Sequence, residues 1–152
     1  MKQRISFDVA PQAYAAQKGL EAYIRTTALP RELIELVKLR VSMMNGCGFC
    51  VDMHWTALRK AGQPEERLYG LSAWRELEGY STRERAALAW AEAVTEVASS
   101  HVPDDVYEQA RACFDEKDLA DLTFVVVAIN GWNRLCVAFR VPPATALPKP
   151  AA

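Results

Sequence analysis

The 152-residue sequence predicts an all-α protein, a single-domain bundle of about six to seven helices. Apolar residues recur at helical spacing through most of the chain, and capping or breaking residues separate the segments. One segment resembles a strand, but it would have no partner. Residues 1–142 are expected to form one helical domain, and residues 143–152, rich in alanine and proline, a flexible C-terminal tail.

Three helices are predicted in the first part of the chain. Asp8 is expected to cap a helix from Pro11 to about Thr27, which ends before Pro30. The spacing predicts a second helix from Arg31 to Met44, because leucine and valine recur there every three or four residues. After the breaker pair Asn45–Gly46, a third helix carries two cysteines and continues to Ala61.

The rest of the chain predicts four further helices. The first begins at Pro64 and ends near Leu77, and the capping box Ser81–Glu84 opens the next. Pro103 opens another helix to about Phe114. Asp115 is expected to cap the last, from Glu116 to about Arg140. Its β-branched patch is interpreted as helix because the helical spacing continues beyond it.

Charge and composition narrow the classes of partner. The chain has 18 basic and 19 acidic residues, a net charge of −1, with the basic residues dispersed. Nucleic acid and anionic membranes are therefore not expected as partners. The longest strongly apolar run, Phe124 to Ile129, is too short to span a bilayer, so we expect a cytoplasmic protein. Four cysteines in a reducing compartment are expected to be thiols.

The segment Cys47–His54 carries the clearest chemical signal. On one helix, Cys47, Cys50 and His54 fall within about 60° of arc. The pair lies in the predicted first turn, where backbone N–H groups and the helix dipole favour a thiolate. A reversible disulfide is within reach at this spacing. His54 follows Cys50 by one turn and can take its proton, so Cys50 is the better-assisted nucleophile and thiol redox chemistry is the leading hypothesis.

Two other interpretations of this segment stay open. Two thiolates and an imidazole are also zinc ligands, but a closed structural site needs a fourth. Cys113 and Cys136 are single cysteines within helical patterns, and His101 lies in a predicted turn, so no second ligand pair is visible. The cysteines and the histidine could also be ordinary core residues.

Glu35 lies upstream on the second predicted helix, off its apolar stripe and on the same side as Ser42 and Asn45. If the second and third helices fold back on each other, Glu35 can approach His54 and hold the imidazole in a Glu–His–Cys relay. As an alternative, Glu35 is a surface charge that pairs with Arg31 or Lys38.

These residues and their spacing resemble the signature of the alkylhydroperoxidase D family, within the carboxymuconolactone decarboxylase-like superfamily. The positions that carry the resemblance are Glu35, Leu39, Ser42, Asn45, Cys47, Cys50 and His54. A second segment, Ile129 to Leu135, is similar to another recurrent stretch of the family. The resemblance implies a helical bundle of the alkylhydroperoxidase D-like type that assembles as a homo-oligomer, a trimer or a hexamer.

The resemblance also implies a peroxidase that needs no haem, flavin or metal cofactor. Cys50 would attack a hydroperoxide and become a sulfenic acid, and Cys47 would condense with it to form a disulfide. Glu35 and His54 would form the proton relay that activates Cys50. A dithiol reductant, either a lipoyl group or a partner protein, would reopen the disulfide. The chain departs from some members at Phe49, where they carry a histidine of the relay.

Aromatic and polar residues near these motifs have two interpretations each. Trp55, Phe49 and Trp132 are candidates to line a substrate pocket, although aromatic residues at helical spacing are more often core residues. Asn130 and Asn133 are interpreted as amides that tie helices together.

Three functions are compatible with the sequence. The first is the thiol-dependent peroxidase, an alkyl hydroperoxide reductase that acts on hydrogen peroxide or organic hydroperoxides. The second is a non-enzymatic thiol redox or metal sensor. The third is a lactone decarboxylase of the carboxymuconolactone type, which needs no cysteine pair, so the pair argues against it.

Overall fold

The computed structural model describes residues 2–145, and this part of the chain is all-helical, as predicted. It contains eight α-helices where the sequence predicts six to seven, and two short 3-10 segments at Phe7–Val9 and Gly70–Glu76. The α-helices, numbered α1 to α8 in chain order, are Pro11–Ile24, Arg31–Met44, Gly48–Lys60, Glu65–Tyr69, Thr82–Thr95, Val97–Ser100, Asp104–Arg111 and Glu116–Phe139.

Helix α8 is the centre of the bundle and packs against α1, α2, α3, α5 and α7. Within residues 2–145 it is the one helix long and apolar enough to cross a membrane by length and composition. It packs against five other helices, and 39% of its apolar segment is buried in the bundle. The predicted helical state of its β-branched patch is confirmed, and Asp115 caps it by accepting a hydrogen bond from the Asp118 N–H.

Helix α2 lies between two apolar clusters and contributes to both. Leu33, Val37 and Val41 belong to the main core with α8. Leu36 and Leu39 belong to a second cluster, whose other buried members are Leu58, Leu68, Leu71, Trp74, Tyr80 and Leu88. Because α2 is buried on two faces, packing on both sides fixes its orientation. Helix α3 packs along α2, so its position is fixed with it.

Most predicted helix starts are confirmed, and one predicted cap is wrong. The capping box between Ser81 and Glu84 is formed, and α2 has the predicted bounds. Asp8 does not cap α1, because the chain first makes the 3-10 segment, at whose start Ser6 accepts from the Asp8 N–H. Helix α1 then starts at Pro11 without a side-chain cap.

The predicted ends of α1 and α4 differ from the structure, and one short helix was not predicted. Helix α1 ends at Ile24, since the hydroxyl of Thr27 instead donates to the Ile24 carbonyl. Helix α4 gives way after Tyr69 to the 3-10 segment Gly70–Glu76, whose backbone breaks at Ala73 (φ −117°, ψ 29°). The four-residue helix α6 was not predicted, because one turn is too short to carry a periodic pattern.

The connection from α6 to α7 contains the predicted turn at His101. His101 and Val102 both have left-handed backbone conformations, with φ of 49° and 50°. For a β-branched residue this conformation is strained, so neighbouring contacts must hold it. Val102 packs against the main core, and its N–H donates to the Ser100 hydroxyl.

The start of the predicted tail lies against α3. The N–H and the hydroxyl of Thr145 donate to the carboxylate of Asp52, at 2.9 and 2.5 Å, and these bonds lower the pKa of Asp52. Residues 146–152 of the predicted tail lie outside the described residues.

Candidate active site

The two cysteines lie where α2 turns into α3. Gly46 takes the left-handed conformation that ends α2 (φ 64°), and the Cys47 N–H donates to the Ser42 carbonyl. Cys47 is the N-cap residue of α3, and Cys50 lies in its first turn, as the sequence predicts. Both side chains are buried, with 1% exposure each. The turn therefore places both thiols at the positive end of the helix and inside the core.

The predicted approach of Glu35 to His54 is found. Glu35 Oε2 lies 2.7 Å from His54 Nδ1 across the contact between α2 and α3. A carboxylate can only accept, so the proton of this hydrogen bond lies on Nδ1. His54 Nε2 is buried and has no hydrogen-bond partner among residues 2–145. The pair therefore presents an imidazole whose second nitrogen can accept a proton.

The ionisation of Glu35 reflects this pairing. Burial would raise the pKa of Glu35, but the hydrogen bond and charge of His54, with the charges of Lys38 and Arg31, bring it below its ordinary value. The alternative pairing of Glu35 with Lys38 is not found, because Lys38 Nζ binds Glu21 Oε2 at 2.6 Å. Glu35 is thus a carboxylate at neutral pH and is committed to His54.

A third thiol, that of Cys136, lies beside the pair, although the sequence shows Cys136 only as a single cysteine within a helical pattern. The Sγ atoms of Cys47, Cys50 and Cys136 all lie within 4.8 Å of one another, and Cys136 is 3% exposed. Cys136 comes from α8, far along the chain. One signal could have found it: Cys136 follows Asn133 by three residues on the same helix face, and Asn133 contacts the α2–α3 region.

The pKa values of the three thiols are shifted in different directions. Hydrogen bonds with Cys136 and Cys50 lower the pKa of Cys47 to about 3, and Asn133 assists, although burial opposes this. Contacts with Cys136 and Cys47, together with burial, raise the pKa of Cys50 well above its ordinary value. The pKa of Cys136 is raised to about 12, chiefly by Cys47. These shifts favour the thiolate on Cys47 over one on Cys50, which needs a base to ionise.

The cluster also has the chemistry of a soft-metal ligand set. Three thiolates are ligands for thiophilic ions, but a closed structural zinc site needs a fourth ligand. Within residues 2–145, the potential metal ligands that lie within 4.8 Å of one another are the three cysteines, and His54 is not among them.

A cleft of about 720 Å³ opens between α1, α2, α3 and α8 at this site. Cys50, Cys136, His54 and Glu35 line it, whereas Cys47 does not. Cys50 and the imidazole thus meet the same space, where a small molecule or water can connect them. Cys47 lies behind Cys50 as seen from the cleft.

Two of the three aromatic residues predicted for a substrate pocket line this cleft, namely Phe49 and Trp132. The Trp132 indole N–H donates to Glu21, which also binds the buried Lys38. Glu21 was not predicted as part of the site, because its sequence pattern does not distinguish it from other charged residues on a surface helix. Basic residues at the cleft are Lys18, Arg25, Arg31 and Lys38.

Trp55, the third of these aromatic residues, does not line this cleft. It packs, partly buried, against the second cluster, with Arg59 near its ring at 5.9 Å from the centroid. The reason is its angle on α3: Trp55 follows His54 by about 100°, which turns it from the cleft towards that cluster.

The interpretation of Asn130 and Asn133 as helix ties is confirmed. Asn45 Nδ2 donates to both amide oxygens, at 3.0 and 2.9 Å, and Asn133 Nδ2 donates to Ser42 Oγ at 3.1 Å. Asn130 also donates to Thr95 of α5. This network joins the end of α2 to α8, and it thereby holds the cysteine turn against Cys136.

The fold and this site define the class of protein: a helical thiol protein of the alkylhydroperoxidase D-like type. The profile of the carboxymuconolactone decarboxylase family matches residues 11–93, more than half of the chain. The chain belongs to this family.

Among its relatives, the uncharacterized protein YdfG of Bacillus subtilis is 42% identical over 139 residues, which are 91% of this chain and 95% of YdfG. A crystal structure of a protein of unknown function from Agrobacterium tumefaciens, provisionally assigned as the antioxidant defence protein AhpD, has a TM-score of 0.92. That protein is 40% identical, and the match covers 95% of this chain and all of the other.

More distant structures share the fold alone. The debrominase Bmp8 has a TM-score of 0.76 at 18% identity, and the match covers 90% of this chain and 74% of Bmp8. Its name indicates that the fold also supports chemistry other than peroxide reduction.

Proposed function

We propose that this protein is a cysteine-based peroxidase that reduces hydrogen peroxide or organic hydroperoxides. One observation carries the proposal. Cys50 lines a cleft beside His54, whose Nδ1 is held by Glu35 at 2.7 Å while Nε2, within residues 2–145, has no partner. A thiol that needs a base to ionise therefore shares a cleft with an oriented base.

In the first step, His54 Nε2 takes the Cys50 proton, directly or through water. The thiolate sulfur attacks the terminal peroxide oxygen and the O–O bond breaks, which leaves a Cys50 sulfenic acid. The departing oxygen takes a proton from the imidazolium and leaves as water or an alcohol. Glu35 stabilises the imidazolium between these two proton transfers.

In the second step, Cys47 attacks the sulfenic acid. The S–S bond forms, the S–O bond breaks, and the hydroxide leaves as water after taking a proton. The low pKa of Cys47, which hydrogen bonds with Cys136 and Cys50 cause, supplies the attacking thiolate without a further base. The different positions of the two cysteines fit this division of roles, because Cys50 lines the cleft and Cys47 does not.

The cycle closes when an external dithiol reduces the Cys47–Cys50 disulfide. We propose a lipoyl-type dithiol or a partner protein, because two electrons must enter by thiol–disulfide exchange. No haem, flavin or metal takes part in this scheme. The location proposed for the protein is the cytoplasm, where such reductants are available.

We also propose that the protein is a homo-oligomer, a trimer or a hexamer. Phe124 and Val127 on α8 are about half-exposed and share one face of the helix, and the ring of Tyr23 from α1 packs at the edge of Phe124. A subunit interface would cover this apolar face. Light scattering on the purified protein tests this proposal, and a monomer at micromolar concentration would contradict it.

The test of function is peroxide consumption with dihydrolipoamide as the reductant. The wild type should turn over, Cys50→Ser should lose activity, and Cys47→Ser should lose reductant-dependent turnover. Cys113→Ser is the matched control, because Cys113 lies outside the thiol cluster. If the wild-type thiols oxidise to a disulfide without turnover, the peroxidase proposal fails and the redox-sensor function replaces it.

A further inference from the structure

The proposed peroxidase uses two of three clustered thiols and leaves Cys136 without a role. A buried cysteine alone is usually a core residue. Cys136 differs in its neighbours, because its Sγ lies within 4.8 Å of both Cys47 Sγ and Cys50 Sγ. It also lines the cleft together with Cys50, whereas Cys47 does not. Cys136 therefore meets Cys50 from the side on which the peroxide would arrive.

We propose that Cys136 is a second resolving cysteine, which condenses with the Cys50 sulfenic acid to form a Cys50–Cys136 disulfide. This inference rests on the proposed function. It assigns the residue to the reacting atoms, since the Cys136 sulfur forms a bond to the oxidised sulfur of Cys50.

The step balances without another reactant. The Cys136 sulfur attacks Cys50 Sγ, the S–S bond forms, the S–O bond breaks, and the Cys136 proton leaves with the hydroxyl as water. Cys136 is oxidised while the sulfenic sulfur is reduced to the disulfide level. The Sγ atoms must close from within 4.8 Å to about 2.05 Å, which side-chain rotation and a small helix adjustment can supply.

A second exchange moves the disulfide to the motif pair, and electrons pass from Cys47 to Cys136. The Cys47 thiolate attacks Cys50 Sγ of the new disulfide, which forms the Cys47–Cys50 bond and releases Cys136 as a thiolate. The released Cys136 thiolate then takes up a proton. The cluster then holds the same disulfide that direct attack by Cys47 produces.

The consequence is protection of Cys50. A sulfenic acid that waits for a resolving thiol can react with a second peroxide and become a sulfinic acid, which is irreversible for most proteins. Two resolving thiols on different sides of Cys50 shorten the lifetime of its sulfenic acid. Cys47 reaches it from the helix N-terminus and Cys136 from α8.

The test removes Cys47 and identifies the residue with which oxidised Cys50 then forms a disulfide. Cys47→Ser is treated with one equivalent of hydrogen peroxide, free thiols are alkylated, and the peptides are analysed by mass spectrometry. We expect a Cys50–Cys136 disulfide. In the double variant Cys47→Ser/Cys136→Ser we expect no disulfide and, when excess peroxide is added, several-fold more Cys50 sulfinic acid than in Cys47→Ser. Cys47→Ser/Cys113→Ser is the matched control and should behave as Cys47→Ser.

Cys136 is buried, so its substitution could disturb folding. Cys136→Ala is therefore compared with Cys136→Ser, and circular dichroism identifies the folded variants. Rapid quenching of the wild type provides a measurement without substitution, in which the Cys50–Cys136 disulfide should precede or accompany Cys47–Cys50.

The outcomes separate the two proposals. If Cys50 of the Cys47→Ser variant oxidises while Cys136 remains reduced, and quenched wild type contains Cys47–Cys50 alone, the role of Cys136 is refuted and the peroxidase stands. If Cys50 does not react with peroxide in the wild type, the proposed function is overturned, and this inference with it.

Discussion

Glu35 Oε2 and His54 Nδ1 lie 2.7 Å apart, on neighbouring helices whose contact encloses the reactive thiols. The carboxylate fixes the tautomer of the ring, since it accepts the Nδ1 proton and leaves Nε2 as the basic nitrogen. In this way Glu35, which exchanges no proton with the peroxide in the proposed mechanism, controls which nitrogen of His54 is available to Cys50.

Glu35→Gln should slow the oxidation of Cys50 by peroxide on the order of 100-fold, because the neutral amide no longer stabilises the imidazolium. The measurement is the single-turnover rate of sulfenic acid formation, trapped with dimedone. Glu32→Gln on the same helix is the control, since Glu32 binds Gln63 at the surface. An unchanged rate in Glu35→Gln would remove Glu35 from the proton relay.

Stability should depend on the ionisation of Glu35. Its pKa in the folded protein is below the ordinary value of 4.5. Glu35 therefore stays ionised in the folded state at pH values at which the unfolded chain already binds a proton. The contribution is fully present above about pH 4.5 and is lost as the pH falls through the folded-state pKa. Urea unfolding of the wild type and Glu35→Gln between pH 3 and 7 checks this, and a difference that grows on acidification would contradict it.

Cys47 should be the thiolate of the reduced protein. Its pKa of about 3 means that it stays ionised at neutral pH and gains a proton as the pH falls towards 3. Thiolate absorbance in the ultraviolet, followed against pH, should disappear at neutral pH in Cys47→Ser and persist in Cys113→Ser. Cys136→Ala should move the transition to higher pH, because it removes the hydrogen-bond partner with the largest effect on Cys47.

Asn133→Ala should lower the free energy of unfolding by about 1–3 kcal/mol, because the Asn45 amide and the Ser42 hydroxyl lose a partner inside the protein. Urea denaturation measures this change. Arg134→Ala is the control: its side chain is exposed and donates to Asn130, so its cost should stay within about 0.5 kcal/mol. Equal effects of the two changes would contradict the role of the buried amide network.

Trp132→Ala and Trp55→Ala should separate substrate binding from stability. Trp132 lines the cleft, so its loss should raise the KM for cumene hydroperoxide several-fold more than the KM for hydrogen peroxide. Trp55 packs against the second cluster, so its loss should leave this ratio unchanged and lower the free energy of unfolding by about 2 kcal/mol. The two KM values and a urea titration of each variant are the measurements.

Features that depend on nearby residues were predictable from the sequence. The bounds of α2, the capping box at Ser81 and the cap at Asp115 follow from residues within one or two helical turns. Where short segments compete, local signals were less reliable, as the wrong cap at Asp8 and the 3-10 segment after Tyr69 illustrate.

By itself, the sequence determined the helical class and the position of His54 one turn after Cys50 on α3, because a helix has 3.6 residues per turn. Tertiary structure decided which helices meet. It brought Cys136 to the cysteine pair, turned Trp132 to the cleft and Trp55 away from it, and lowered the pKa of Cys47 through its contact with Cys136. The periodicity of a helix gives the face on which a residue lies, whereas the neighbour of that face depends on how every helix packs around α8.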